Sequence, residues 1–238
     1  MSRVVLITGG AGGMGRAIRD RFTAGGDQVV TADLHDAEVT ADVTIVADCE
    51  RMVTETLERH GRLDVLVTTA GVWVEGPSAE MTEAQWDRTV DVNLKGTFFS
   101  IRSAIPALTS ARGCVVAIAS DYGIVGGPGA AIYTASKFGV NGLVRSLALE
   151  LAPFGVRVNS LCPADVMTSM LRGQARDYGG GDEEGYFRKL LATLPQGESA
   201  RFITPEEIAA ATWFLASSEA APITGVTLPI EWGVTAGY

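Results

Sequence analysis

Tyr133 and Lys137 stand four residues apart in the stretch Tyr133-Thr-Ala-Ser-Lys137. On a helix that interval places a phenol and an ammonium on one face. The positive charge favours the phenolate and draws the Tyr pKa down from about 10 towards working pH, which makes the pair a device for moving a proton. The pair alone also arises by chance on solvated helices. It gains meaning only if the chain supplies a nucleotide site and a group to polarise a carbonyl.

The elements that would position these groups follow from hydrophobic periodicity. Val4-Val-Leu-Ile-Thr8 reads as a buried parallel strand and runs into Gly9-Gly-Ala-Gly-Gly13-Met14-Gly15 and a helical pattern. A strand feeding a Gly-rich turn and a helix is a phosphate cradle, because glycines let the backbone approach a pyrophosphate and the helix start offers free amides. Gln28–Asp33 reads as the second strand. Its terminal carboxylate suits an adenosine ribose and would repel a 2′-phosphate, although an Asp there could simply cap a turn. Residues 34–48 leave two alternatives. Val39–Asp42 is a short third strand that puts Asp42 and Val43 near an adenine, or residues 44–47 are the strand and Asp48 takes that role. We prefer Asp42, because it leaves a full helix over about 46–60.

Leu63–Gly71 reads as a strand ending in small residues, and helical periodicity covers about 82–109, with Asn93 inside it. Most Asn residues in mid-helix face solvent. Gly113–Ser120 is the fifth strand, a Gly-rich connection leads to the helix of Tyr133, and Arg157–Pro163 is the sixth. Residues 164–203 lose regular alternation and read as a mobile lid. A helix at about 205–217 and a strand at Val226–Ile230 follow. Alternating strands and helices with a phosphate turn after strand one predict a single-domain Rossmann fold over 1–238, a doubly wound parallel sheet in three αβα layers.

Composition narrows the function. At 238 residues with 47% apolar and 20% charged side chains, the chain is ordinary globular material. Its net charge of −9 argues against nucleic acid and anionic membrane as partners. No apolar run approaches the length of a membrane span and no signal organisation opens the sequence. Cys49, Cys114 and Cys162 are odd in number and lack metal spacing, so buried, reduced thiols in the cytoplasm are expected, and no metal.

With these elements in register, the chain resembles the short-chain dehydrogenase/reductase family over essentially its whole length. The matching residues are Thr8-Gly9-x-x-x-Gly13-x-Gly15, Ala70-Gly71, Asn93, Ser120, Tyr133-x-x-x-Lys137, and Arg157-Val-Asn159 followed by Pro163. The resemblance implies a bound nicotinamide cofactor, here NAD, and hydride exchange at a carbonyl carbon. Tyr133 would be the acid/base, with Lys137 lowering its pKa and holding the nicotinamide ribose. Ser120 would orient the substrate oxygen, and Asn93 would hold a water that relays protons through Lys137. Cofactor contacts would extend to Met14, Pro163, Val166 and Thr168, and the assembly would be a homotetramer. Three positions depart from the family pattern: Thr68-Thr-Ala70-Gly71, Pro163-Ala164 and Glu231-Trp232-Gly233. They affect local packing and pocket shape.

The expected reaction is that of an NAD-dependent alcohol dehydrogenase or ketone reductase acting on an uncharged, largely apolar secondary alcohol. Trp73, Val74, Val125, Val166, Met167, Met170 and Leu171 are expected to line its pocket. Arg172 and Arg176 are the cations nearest in sequence that could turn inward. A 3-oxoacyl-carrier reductase would use the same groups but would want a basic docking face. A dinucleotide sensor without turnover would not need Ser120, Tyr133, Lys137 and Asn93 together.

Overall fold

Short runs of Val, Leu and Ile form the strands, because β-branched and leucyl side chains pack well on a sheet buried on both faces. The computed structural model describes residues 2–237. Its strands are β1 (Val4–Thr8), β2 (Gln28–Asp33), β3 (Val39–Thr40), β4 (Val65–Thr68), β5 (Cys114–Ile118), β6 (Arg157–Pro163) and β7 (Thr227–Ile230). They make one parallel sheet in the order β3-β2-β1-β4-β5-β6-β7. The chain winds outward from β1 to β3 and then returns to β4. This leaves a crevice at the carboxyl ends of β1 and β4, where Thr8 pairs with Thr68.

Successive side chains alternate between two cores. Leu6 packs with Met52 and Cys49 of α2 (Val46–His60), Ile101 and Leu108 of α4 (Gly96–Ala111), and Val140 and Val144 of α5 (Ala131–Leu151). Val5 and Ile7 point the other way, to Ile18 and Phe22 of α1 (Gly13–Ala24) and Ile208 and Leu215 of α8 (Pro205–Ala216). The three-layer Rossmann architecture is therefore present. Cys49, Cys114 and Cys162 are free and buried.

Two stretches differ from the sequence reading. The helix expected over 82–109 is broken into α3 (Glu83–Val90), a π-helical segment Asp91–Lys95, and α4. Residues 164–203 are not irregular. They fold into α6 (Ser169–Tyr178) and α7 (Glu183–Leu191), and a bridge between Val166 and Ile203 closes the segment at its base. Each helix starts on a polar cap, Thr168 or Asp182, whose side chain accepts a backbone N–H. Long-range periodicity could not show either helix, because both are short and bury few residues. The strand alternative for residues 44–47 is also excluded: β3 ends at Thr40 and α2 starts at Val46.

Two of the departures from the family pattern have local explanations. Thr69 Oγ1 donates to the Thr8 carbonyl at 2.7 Å and so ties the end of β4 to the end of β1. Trp232 adopts a left-handed φ of 60°, and the Arg201 guanidinium lies 4.5 Å over its ring.

Candidate active site

Gly9, at φ +68°, makes the turn after β1, and a Cβ there would lie 2.6 Å from the Ala70 nitrogen. One at Gly15 would collide with the Gly9 carbonyl, and one at Gly13 would sit 2.9 Å from Thr168 Cγ2. The backbone is thus bare where α1 begins, and its first amides are open to an anion. Asp33 accepts from the Ala11 N–H at 3.0 Å and the Leu34 N–H at 2.7 Å, which holds the Gly turn against β2. A cleft of about 530 Å³ includes this turn and is lined also by Asp33, Asp42, Val43, Ala70 and Gly71. Asp48 lies on α2 instead, accepting from the Asp42 N–H and pairing with Arg51. Of the two aspartates weighed from the sequence, Asp42 is the one on the wall.

Met14, Thr168 and Met170 line both this cleft and a second of about 740 Å³ over the ends of β5 and β6. An elongated groove with a side-chain-free floor at a helix start, continuing into a second chamber, fits a dinucleotide with its reactive ring at the junction. Pro163, Val166, Ser120 and Tyr133 line the second chamber.

Lys137 is buried, with 5% of its surface exposed, and its Nζ donates to the Ile118 carbonyl at 3.0 Å. Burial pulls its pKa down to about 8. The Nζ lies 5.6 Å from the centre of the Tyr133 ring. In this geometry burial outweighs the effect expected of Lys137 on the Tyr133 pKa. Burial pushes the phenol well above its ordinary value, the Asp121 and Asp165 carboxylates push the same way, and only the Ser120 hydroxyl opposes them. Asn93 does not face solvent either. It is fully buried in the π segment, where Oδ1 accepts from the Val72 N–H at 2.8 Å and Nδ2 donates to the Val72 carbonyl and to Ser136 Oγ. A Cβ at Gly71 would lie 3.4 Å from Asn93 Oδ1 and 3.8 Å from Lys137 Nζ, so these two groups meet on a bare stretch of backbone.

Trp73, Val125, Val166, Met170 and Leu171 line the second chamber as expected; Val74 and Met167 do not. Val74 is buried away from the cleft. Neither Arg172 nor Arg176 lines it, and the cation that does is Lys189 of α7. The chamber also holds carboxylates, of which the sequence reading missed Glu75 and Asp121. Glu75, Asp121 and Asp165 follow β4, β5 and β6 and converge on the chamber. Glu75 accepts from Trp73 Nε1 at 3.1 Å and from the Tyr186 hydroxyl at 3.0 Å. Burial raises Asp165 to about 7, helped by the charges of Asp121 and Glu75. Glu75 and Asp121 were detectable as neighbours of Trp73 and Ser120. Tyr186 and Lys189 reach the chamber only through the fold.

Comparisons with known proteins agree with this geometry. A family profile described as enoyl-(acyl carrier protein) reductase matches residues 9–235. A meso-2,3-butanediol dehydrogenase of Serratia marcescens is 36% identical over 250 residues, covering 99% of this chain and 95% of the relative. A D-beta-hydroxybutyrate dehydrogenase of Rhizobium meliloti is 33% identical and is covered over its full length, with 99% of this chain. The ligand-free aldohexose dehydrogenase of Thermoplasma acidophilum superposes with a TM-score of 0.92 at 33% identity, over 99% of this chain and 94% of that one.

Proposed function

We propose, for a chain that belongs to the short-chain dehydrogenase/reductase family, that it exchanges a hydride between NAD(H) and an uncharged, largely apolar secondary alcohol or its ketone. The observation that carries this reading is that Ser120 and Tyr133 open into one chamber, beside the buried Lys137, at the end of a glycine-floored groove. The bound dinucleotide supplies or accepts the hydride. Tyr133 holds the proton at the substrate oxygen; burial keeps the phenol protonated but makes it a weaker acid, so proton transfer calls on a cationic charge beside it. Ser120 orients that oxygen. Lys137 holds the nicotinamide ribose and, when charged, shifts the Tyr133 balance towards phenolate. Asn93 fixes the backbone at Val72 and holds a water on the path to Lys137. Gly9, Gly13, Met14, Gly15, Ala70 and Gly71 carry the phosphates and the nicotinamide, while Asp33, Asp42 and Val43 hold the adenosine.

Relatives named for a butanediol and a hydroxybutyrate support a hydroxyl-bearing substrate. The carboxylates of Glu75, Asp121 and Asp165 disfavour an anionic one. Phe138, Leu149 and Phe154, exposed on and just after α5, favour a homo-oligomer, a tetramer by resemblance, and the three free, buried cysteines suit the cytoplasm. A 3-oxoacyl-carrier reductase is the second reading, favoured by a Thermotoga maritima relative of that name at 32% identity. The net charge of −9 weighs against it, since an acidic carrier would be repelled.

The test is a panel of secondary alcohols and ketones with purified protein, read by NADH absorbance. Turnover is expected, with Tyr133→Phe losing about 10²–10⁴ in rate while dinucleotide binding by fluorescence is retained. Near-wild-type turnover in Tyr133→Phe would sink the assignment.

A further inference from the structure

The Tyr133 ring is flanked by an indole from another loop. Trp73, after β4, has its ring centre 4.5 Å from that of Tyr133 and 5.8 Å from that of Tyr122, and all three line the substrate chamber. An indole has a single donor. That of Trp73 goes to Glu75 Oε2 at 3.1 Å, and the same oxygen accepts the Tyr186 hydroxyl of α7 at 3.0 Å. The loop is also tied to the turn before α5, because the Gly76 N–H donates to the Gly129 carbonyl at 2.9 Å. One carboxylate oxygen therefore joins α7 to the ring that leans on the candidate acid/base.

We propose that Glu75 is a positioning residue for Tyr133. Its Oε2 fixes the Trp73 indole, and the indole holds the phenol ring at the angle that proton transfer needs. The Tyr186 hydroxyl, on the same oxygen, steadies Glu75 from α7. The inference rests on the reading of Tyr133 as the acid/base and assigns what orients it.

The geometry makes this role one of placement and not of charge. Both donors meet on a single oxygen, so the arrangement asks for one acceptor at one point. Among the described residues the Glu75 side chain bonds to Trp73 and Tyr186, and to neither Ser120 nor Tyr133, so it reaches the phenol through the indole. Proton transfer wants the phenol oxygen about 2.6–3.2 Å from the substrate oxygen. A ring free to tilt therefore loses rate, while a dinucleotide bound along the glycine turn keeps its affinity.

The test reads kcat and KM separately, with 2,3-butanediol and NAD as the probe. Glu75→Leu removes the acceptor and is expected to lower kcat about five- to tenfold, the size of one hydrogen bond, and to raise KM through the lost Tyr186 bond. Glu75→Gln keeps an oxygen at the same point and should recover most of the kcat. Trp73→Phe leaves a ring against Tyr133 without the N–H and should lower kcat to a similar extent. In the double variant with Glu75→Leu the two losses should not multiply, because they break one bond. An unchanged kcat in Trp73→Phe, losses that multiply, or a Gln variant as slow as the Leu one overturns the proposal. Trp73→Phe and Glu75→Gln decide it even if Glu75→Leu does not fold. NMR gives a readout without turnover, which keeps the inference distinct from the functional reading. The indole N–H resonance absent from Trp73→Phe should lie downfield in the wild type and in Glu75→Gln and move in Glu75→Leu. The ring resonances absent from Tyr133→Phe should move in Glu75→Leu as well. A Tyr133 ring indifferent to the loss of the acceptor overturns the positioning role whether or not any alcohol is oxidised.

Discussion

At the scale of single residues, the chamber is defined by groups whose charge state the fold has changed. Asp165 has no hydrogen-bond partner for its carboxylate among the described residues, and burial lifts it to about 7. The sign follows from linkage. An acid with a raised folded pKa binds more protons folded than unfolded between about pH 4 and 7, so its contribution to stability falls as pH rises through that window. Asp165→Asn should therefore stabilise the protein by about 1–3 kcal/mol at pH 8 and by little near pH 4, as read from urea midpoints at both values. A second residue-scale prediction concerns the cofactor. Asp33 stands where a ribose 2′-hydroxyl is expected, and the cation on the wall of the dinucleotide cleft, Arg88, comes from α3. We expect kcat/KM with NAD(H) at least about tenfold better than with NADP(H), or about 1.4 kcal/mol. Asp33→Ala should narrow that ratio, although it also frees the Ala11 N–H and weakens both cofactors. Equal efficiencies in the wild type would refute the preference.

At the scale of elements, the site depends on one departure from regular helix and on one helical pair. The π segment between α3 and α4 inserts an extra residue into the turn and aims Asn93 inward at Val72 instead of out to water. The other element is the helical pair α6–α7, which covers the substrate chamber. It is fastened to the chamber wall by the Tyr186 hydroxyl on Glu75, a bond that spans 111 residues of chain. We propose that this pair is the lid foreseen at 164–203. Tyr186→Phe should then raise KM for substrate by about two- to fivefold, one hydrogen bond's worth, with dinucleotide affinity unchanged. An unchanged KM in steady-state kinetics would detach the lid role from this bond.

At the scale of the whole molecule, charge distinguishes the two substrate readings. A protein of net charge −9 repels an acidic carrier, and salt screens that repulsion over a Debye length of about 8–10 Å. If small free ketones are the substrates, attaching the same ketone to an acyl carrier should lower kcat/KM, and added salt should restore part of the loss. A carrier-bound substrate that is preferred at low salt, and loses its advantage as salt is added, would establish the carrier reductase reading. No helix among the described residues is long and apolar enough to cross a membrane.

What the sequence determined by itself was whatever is written in short-range pattern. Apolar runs gave strands, the Gly9–Gly15 turn gave the phosphate cradle, and the four-residue step from Tyr133 to Lys137 gave a shared helix face. Each depends on the backbone within a turn or two, and local sterics are enough to fix it. The tertiary structure decided the rest, because the rest depends on burial and on residues distant in sequence. The Lys137 ammonium was expected to lower the Tyr133 pKa. In the fold it is drawn under the ring to a backbone carbonyl, while desolvation raises the phenol and lowers the amine. Periodicity alone could not single out Asn93, which only the family resemblance marked and which the π segment buries. Glu75, Asp121 and Asp165 lie on three separate loops, and only the parallel order of β4, β5 and β6 brings their charges into one chamber. A charge's effect is set by its neighbours in space and the water it has lost, and neither is a property of its position along the chain.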